Sequence, residues 1–317
     1  MNVKTGNPDF RDRSLVLRLF GGLLLIAGVG VGFLGPIEMS TFYLFGEGGR
    51  FHYPGFGFGS FMFANITSQI IGYYLISAVF ILLGYGHLAL RRWARKLSVT
   101  ILWFWLVIGA PMIVVVFFIL AGTKELSLAE AIGALLILAL SYFVFPFLLI
   151  RFYRGQNVRR TFENKDANGH WIEGLPTSIL VLSCLYLFYI LMLQILIMFN
   201  GLFPVFGEFR FGLQGIILLD ISIGCLMIMT WGTLRQRLWA WWASVILLAL
   251  FTASTVYTFW RYTYADLLAG LAFPARELEF LGGIPAQGYH FSILVGTPLL
   301  ITLAIAIRSK GYFKAGF

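Results

Sequence analysis

Eight apolar runs, separated by shorter polar segments, follow one another along the chain of 317 residues. A helix needs about 20 mainly apolar residues to cross the roughly 30 Å hydrocarbon core of a bilayer. The runs are of this order of length, so the pattern predicts an all-α integral membrane protein with eight transmembrane helices. The predicted spans are residues 15–36, 66–88, 97–121, 128–150, 176–199, 212–233, 239–261 and 290–307.

One short sequence occurs twice along this pattern. Residues 86–98 read GHLALRRWARKLS and residues 232–244 read GTLRQRLWAWWAS, so both follow G-x-L-x-x-R-x-W-A-x-x-x-S. Each copy lies between two apolar runs, as a tight basic turn between two membrane helices would. The repeat predicts two tandem four-helix halves in parallel orientation, which argues against inverted-repeat transporter folds. The predicted halves are residues 1–150 and 176–317, joined by a linker at 151–175.

Composition and charge agree with a membrane protein. Hydrophobic residues make up 59% of the chain and charged residues 12%, where a soluble domain has about 25% charged residues. Most basic residues fall on one side of the predicted spans, so the positive-inside rule predicts that this side and both termini are cytoplasmic. The asymmetry explains the net charge of +9 without a nucleic-acid partner. The first apolar run lacks a small-x-small cleavage site, and no cleavable signal peptide is predicted.

The basic and aromatic residues of the repeated turns are candidates for contact with membrane lipids. They could bind anionic lipid headgroups or a cytoplasmic partner, or they could serve only as a topology signal with aromatic anchors. R-x-W-A turns resemble those of many bacterial membrane proteins; the resemblance covers a dozen residues, carries no activity, and implies a bacterial inner membrane. The candidate contact residues are Arg91, Arg92, Trp93, Arg95, Arg237 and Trp239.

The first apolar run carries a stripe of glycines. Three of them repeat at intervals of seven residues, and a fourth completes a GxxxG motif. Such a stripe lets a neighbouring helix approach closely, so we predict a helix-packing role, with a cofactor groove as the alternative. The glycines are Gly21, Gly28, Gly32 and Gly35.

The predicted outer loops are rich in phenylalanine and glycine. In residues 37–65 the two types alternate densely, which favours a re-entrant or lid-like segment at the membrane–water interface. The alternative is a docking surface for another membrane subunit or for a flat apolar ligand such as a lipid, quinone or pigment. The loop before the last span is predicted to contain a short amphipathic surface helix near residues 264–273.

Asp220 is the one ionisable residue predicted deep within a span. A carboxylate there costs roughly a few kcal/mol unless it is paired or protonated, which makes it a candidate functional group. Gln194, Ser254 and Thr255 lie at similar predicted depth and could hydrogen-bond a neutral carboxyl. We predict a polar cluster of these four residues, serving either helix packing or a proton or ligand site.

Resident metal or haem chemistry has little support in the sequence. A haem held between two helices requires two histidines that face each other within the spans, and the sequence has no such pair. No spacing of histidine, cysteine or carboxylate residues matches a metal site. The two cysteines lie within predicted spans and are expected to be apolar fillers. The sequence identifies no cofactor.

These patterns favour a non-catalytic structural or accessory subunit of a larger membrane complex, for example a respiratory or photosynthetic one. Transporters and membrane enzymes usually place several polar groups at the membrane midplane, and this chain places one. The rival hypothesis is a transporter or a carrier of a small apolar ligand that uses the Asp220 cluster. An enzyme acting on lipid or quinone has only the aromatic loops in its favour.

Overall fold

A computed structural model shows a helical bundle, and it describes residues 10–46, 48–122 and 127–314. Within those ranges, eight helices are long and apolar enough to cross a membrane. This confirms the predicted all-α class and the prediction of eight apolar helices of membrane-spanning length. The helices are α1 (Ser14–Phe45), α2 (Phe61–Leu88), α3 (Arg92–Gly122), α4 (Leu128–Ala139), α5 (Phe145–Arg154), α6 (Gln156–Lys165), α7 (Trp171–Gly174), α8 (Thr177–Met198), α9 (Gly212–Leu234), α10 (Leu238–Arg261), α11 (Tyr264–Leu271), α12 (Ala275–Gly282) and α13 (Gly288–Arg308).

Three minor elements complete the fold. One π-helical turn, Leu140–Val144, joins α4 to α5, and the three together form the fourth span. Strands β1 (Phe203–Val205) and β2 (Glu208–Arg210) form an antiparallel hairpin between α8 and α9. A short 3-10 turn, Lys310–Tyr312, follows α13.

Helices α1 and α2 are longer than the apolar pattern predicts. Helix α1 continues through Pro36 to Phe45, and α2 begins at Phe61, so the connection between them is reduced to residues 46–60. A proline inside a helix removes one backbone hydrogen bond, and α1 nevertheless continues past Pro36 while it packs along α2. The predicted linker is also helical, because residues 151–175 contain the end of α5 together with α6 and α7.

The α1–α2 contact uses the glycine stripe of α1. A Cβ atom added to Gly28 would lie 2.9 Å from Cγ1 of Ile81, and one added to Gly32 would lie 2.9 Å from Oγ of Ser77. Added Cβ atoms at Gly21 and Gly35 would also lie under 3.0 Å from atoms of α2. A larger residue at Gly21 or Gly28 would meet the backbone of α2 and push the two helices apart. At Gly32 or Gly35, the side chain of Ser77 or Tyr74 would have to move.

Helix α3 connects the two predicted halves of the chain. It packs against α2 and α5 in the first half and against α8 and α13 in the second. In the second half, α8 lies along α9 and α10 lies along α13.

The bundle has two distinct ends. One end, which we call the turn end, carries residues 86–98 and 232–244 together with α6 and α7. The other end, the cap end, carries the β1–β2 hairpin, α11 and α12 around an apolar cluster. Helix α11 confirms the short helix predicted near residues 264–273, and its leucines are buried in this cluster. The buried cluster residues are Leu202, Phe209, Phe259, Leu267, Leu268, Leu271, Phe273 and Leu281.

Candidate functional site

The two copies of the repeated sequence have the same local backbone geometry. Leu90 has φ of +49° and Gln236, the residue at the equivalent place, has φ of +53°. The next backbone N–H, from Arg91 or Arg237, donates to the carbonyl of the first glycine of its motif at 2.7 Å and 3.0 Å respectively. In each turn, a residue with left-handed backbone geometry at the same place in the motif ends one helix, and the same hydrogen bond closes the turn before the next helix begins.

Close packing inside each turn explains why the two copies of the motif share the spacing of glycine, tryptophan and alanine. A Cβ atom added to Gly86 would lie 2.5 Å from Cβ of Ala94 and 2.8 Å from the ring of Trp93. At Gly232 the corresponding distances to the alanine and tryptophan of the second copy are 2.6 Å and 2.7 Å. Trp93 and its counterpart Trp239 thus cover the glycine of their own turn, which gives these two candidate residues a structural role.

Different segments of the chain hold the two turns in place. In the first turn, the carboxylate of Asp166 accepts a hydrogen bond from the backbone N–H of Arg92 at 3.1 Å and forms an ion pair with Arg91 at 3.3 Å. Nε of Arg92 also lies 2.9 Å from the carboxylate of Glu173. Burial alone would raise the pKa of Asp166. The backbone N–H groups of Arg92 and Asn168, with the Arg91 guanidinium, outweigh that effect and hold the pKa below its usual value.

The second turn is anchored by the segment that follows α13. The backbone N–H of Lys314 donates to the carbonyl of Gln236 at 2.9 Å, and the N–H of Leu238 donates to the carbonyl of Lys314 at 3.1 Å. Nε1 of Trp241 donates to the carbonyl of Ala306 at 2.8 Å. Arg237 therefore directly precedes a helix, α10, that is tied to α13 and to the segment after it.

A buried tyrosine lies beside each turn, next to the second residue of the repeated motif. In the first half, Nδ1 of His87 lies 2.7 Å from the carbonyl of Leu83, and Nε2 lies 2.8 Å from the hydroxyl of Tyr153. This arrangement assigns the proton to Nδ1, so that Nε2 accepts from the tyrosine. In the second half, the hydroxyl of Tyr186 lies beside those of Thr233 and Ser244 but makes no hydrogen bond of standard geometry. Thr233 occupies the position in its motif that His87 occupies in the first.

Two adjacent cavities at the turn end share the side chains of Arg95 and Lys96. The larger, of about 250 Å³, is lined by Arg95, Lys96, Val99, Trp103, Arg154 and Thr177. The smaller, of about 150 Å³, also includes two glutamates, Glu163 and Glu173, and two further arginines. Of the candidate residues in the first turn, Arg91 and Arg92 are paired to acids, and Arg92 also lines the smaller cavity. Arg95 lines both cavities.

The polar residues predicted to form a membrane cluster point in different directions. Asp220 lies on α9, about 12 Å along the helix axis from its first residue, and its side chain is exposed at the surface of the bundle. Its carboxylate makes no hydrogen bond or ion pair with the residues that the structure describes. Gln194 of α8 is also exposed.

Ser254 and Thr255 are buried on α10. The hydroxyl of Ser254 donates to the carbonyl of Pro204 at 2.8 Å and accepts from the backbone N–H of Phe206 at 2.9 Å. Ser254 therefore holds the β1–β2 hairpin against α10. Its hydrogen bonds are directed to the hairpin and not to Asp220.

Glu277 is a buried acidic residue at the cap end. Its two carboxylate oxygens accept hydrogen bonds from the backbone N–H groups of Phe61 at 2.7 Å and Met62 at 2.9 Å, at the start of α2. Ser60 caps the next free N–H, that of Phe63. No local sequence pattern points to this contact, because the acid and the helix that it caps are far apart in the chain.

Within residues 10–46, 48–122 and 127–314, no group of three or more histidine, cysteine or acidic residues is arranged to hold a metal ion. No protein-family model matches the sequence, and no curated protein or solved structure is significantly similar to it. We therefore infer the function from the chemistry of the described side chains.

Proposed function

We propose that this chain is a non-catalytic subunit of a larger membrane complex and that it binds another membrane chain through the exposed face of α9. The observation that carries the proposal is the carboxylate of Asp220, which is exposed in the middle part of a membrane-length helix and has no partner among the described residues. Ionisable groups within spans ordinarily face the protein interior or pair with another group. An outward-facing carboxylate is explained most simply by a partner that covers it.

The surroundings of Asp220 suit a helix from another chain. Leu213 is 74% exposed and Ile217 is 50% exposed, and they lie seven and three residues before Asp220 on α9, so apolar side chains neighbour the carboxylate on this face. A Cβ atom added to Gly224, one turn further along, would meet nothing within 4 Å. A partner helix could therefore approach closely at this glycine and place a lysine, arginine, hydroxyl or amide donor against the carboxylate.

The location that we propose is a bacterial inner membrane, with the turn end in the cytoplasm and the cap end outside. The basic residues of the turn end support this orientation through the positive-inside rule. The shared geometry of the two turns supports a chain built from two tandem four-helix halves. A respiratory or photosynthetic assembly would be the setting for such a subunit.

The experiment is purification from native membranes in a mild detergent, followed by light scattering and mass spectrometry of the retained chains. The wild type should run well above its mass of 35.7 kDa with a defined partner. Asp220→Leu should lose that partner, and Asp220→Asn should retain part of it because the amide still forms hydrogen bonds. Gln194→Leu removes an exposed polar group from α8 and serves as the control. A wild-type protein that runs alone would contradict the proposal.

A carrier of a small apolar ligand that uses Asp220 is the alternative outcome. The carboxylate lines neither of the two cavities at the turn end, so such a ligand would bind on the outward face of α9. In that case the chain would purify alone, and a ligand would raise its unfolding temperature in the wild type but not in Asp220→Leu.

A further inference from the structure

The larger cavity at the turn end combines positive charge with an apolar wall. Arg95, Lys96 and Arg154 contribute three cationic side chains to its lining, and none of the described acidic residues lines it. None of the three makes an ion pair or a side-chain hydrogen bond in the part of the chain that the structure describes. Three like charges around one cavity repel one another, and an anion bound between them would remove that repulsion.

The acids nearby are already engaged elsewhere. Glu173 lies 2.9 Å from Nε of Arg92, and Glu163 lies 2.7 Å from Nε of Arg159. Both acids line the smaller cavity and not the larger one. These glutamates attract Arg95, and Glu173 also attracts Lys96, but neither glutamate forms an ion pair with a cation of the larger cavity, so that cavity keeps an excess of positive charge.

A helix terminus adds further donors to the same cavity. Thr177, the first residue of α8, lines it, and no side chain caps the start of that helix. The first backbone N–H groups of a helix lack partners within the helix and favour a bound anion. This terminus reinforces the three cationic side chains, which remain the principal feature.

The apolar wall shows which kind of anion fits. Val99 and Trp103 line the cavity one and two helical turns after Arg95 on α3, so Trp103 lies about 12 Å further along the span than the arginine. Trp103 is 38% exposed, which leaves part of its ring free to contact a neighbouring molecule. A lipid places its phosphate at the membrane surface and its acyl chain deeper, and the cavity has cations and apolar groups in the same order.

We propose that this cavity is a binding site for an anionic phospholipid, with the headgroup phosphate held by Arg95, Lys96 and Arg154. The acyl chain then lies along Trp103. Basic pockets between membrane helices at the cytoplasmic surface are suited to such headgroups. The site is separate from the α9 face, so either proposal can fail without the other.

The test uses the full-length protein, delipidated in detergent and titrated with phosphatidylglycerol, phosphatidylcholine or inorganic phosphate. Binding is followed by native mass spectrometry. Phosphatidylglycerol should bind in preference to both other compounds. The double variant Arg95→Gln/Lys96→Gln should weaken its binding by about 30-fold, because each basic residue near an anionic headgroup contributes about a factor of five.

Arg159→Gln is the matched control, since it removes a neighbouring cation that lines only the smaller cavity. Its affinity for phosphatidylglycerol should stay within about twofold of the wild type. If the double variant does not fold, Arg154→Gln provides the same test from a different helix. Equal binding of phosphatidylcholine, equal binding by the variants, or equally tight binding of inorganic phosphate would overturn the proposal, the last in favour of a free anion.

Discussion

The carboxylate of Glu277 accepts a hydrogen bond of 2.7 Å from the backbone N–H of Phe61, a residue 216 positions earlier in the chain. An acid of α12, in the second half, thereby caps the first turn of a membrane-length helix in the first half. A carboxylate at a helix N-terminus satisfies unpaired N–H groups and interacts favourably with the helix dipole. The contact joins the two predicted halves at the cap end, as α3 joins them within the bundle.

Replacement of Glu277 should destabilise the fold. Glu277→Ala leaves two partly buried N–H groups without acceptors and should cost roughly 1 to 3 kcal/mol, with Glu277→Gln less costly because the amide oxygen can accept one bond. Thermal unfolding in detergent measures the loss. Glu279→Gln, two residues away and exposed, is the control and should change little. A control as damaging as Glu277→Gln would show that net charge, and not the cap, is responsible.

The membrane class and the eight spans could be predicted because apolar length is a local property of the sequence. The direction in which a polar side chain points is not determined by the local sequence. Leu219 is fully buried and its neighbour Asp220 is exposed, and this difference depends on which helices lie beside α9. That Asp220 lies within a membrane-length helix could thus be predicted, whereas its lack of a partner among the described residues could not.

Contacts across long sequence distances explain what the sequence did not reveal. Ser254 lies within a membrane-length helix, α10, but it bonds to a hairpin for which the apolar pattern contains no signal. The phospholipid cavity likewise requires α3, α5 and α8 to meet. Its signal in the sequence was limited to Arg95 and Lys96, which are adjacent basic residues within a turn that looked like an ordinary topology signal.

The hydrogen bond between Tyr153 and His87 should contribute measurably to stability. Tyr153→Phe leaves a buried imidazole nitrogen without its donor and should cost about 1 to 2 kcal/mol in thermal or denaturant unfolding. Tyr186→Phe is the matched control, because the Tyr186 hydroxyl is equally buried and makes no hydrogen bond of standard geometry. It should be close to neutral.

A double-mutant cycle with His87→Thr separates the pair from its surroundings. Threonine is the residue at the equivalent place in the second turn. Because the two side chains are in direct contact, the coupling energy should be about 0.5 to 2 kcal/mol. Purely additive effects of the two replacements would show that the hydrogen bond contributes nothing.

Stability at acid pH should depend on Asp166. Its pKa in the folded protein lies below the ordinary value of 3.8, so between the two pKa values the unfolded chain binds more protons than the folded one. Stability therefore rises with pH across that window, is fully present above the unfolded pKa, and is lost as the pH falls through the folded pKa. Asp166→Asn should lower stability near neutral pH and flatten this part of the pH profile.

Asp12 provides the comparison for this pH dependence. Its pKa is also lowered, chiefly by a hydrogen bond from the backbone N–H of Ser14, but its side chain is exposed. Asp12→Asn should therefore change the profile less than Asp166→Asn does. Thermal unfolding between pH 3 and pH 7 measures both variants, and equal effects would contradict the special position of the Asp166 carboxylate beside the first turn.

The two left-handed residues of the repeated turns should respond in opposite ways to glycine. Gln236 has φ of +53° and is only partly buried, so Gln236→Gly removes backbone strain at little loss of packing. The gain should be roughly 0.5 to 1 kcal/mol, because the strain relieved exceeds the added entropy of the unfolded chain. Leu90→Gly relieves similar strain but removes a fully buried side chain, at a cost of roughly 2 to 4 kcal/mol.

Alanine at the same turn position separates backbone strain from the loss of a side chain. Gln236→Ala shortens the side chain but keeps the Cβ atom that makes a positive φ unfavourable, so it should not reproduce the gain from glycine. Unfolding temperatures of the three variants in one detergent measure the difference. If Gln236→Ala and Gln236→Gly stabilise the protein equally, the benefit comes from removing the glutamine side chain, and the left-handed backbone of the turn carries no strain.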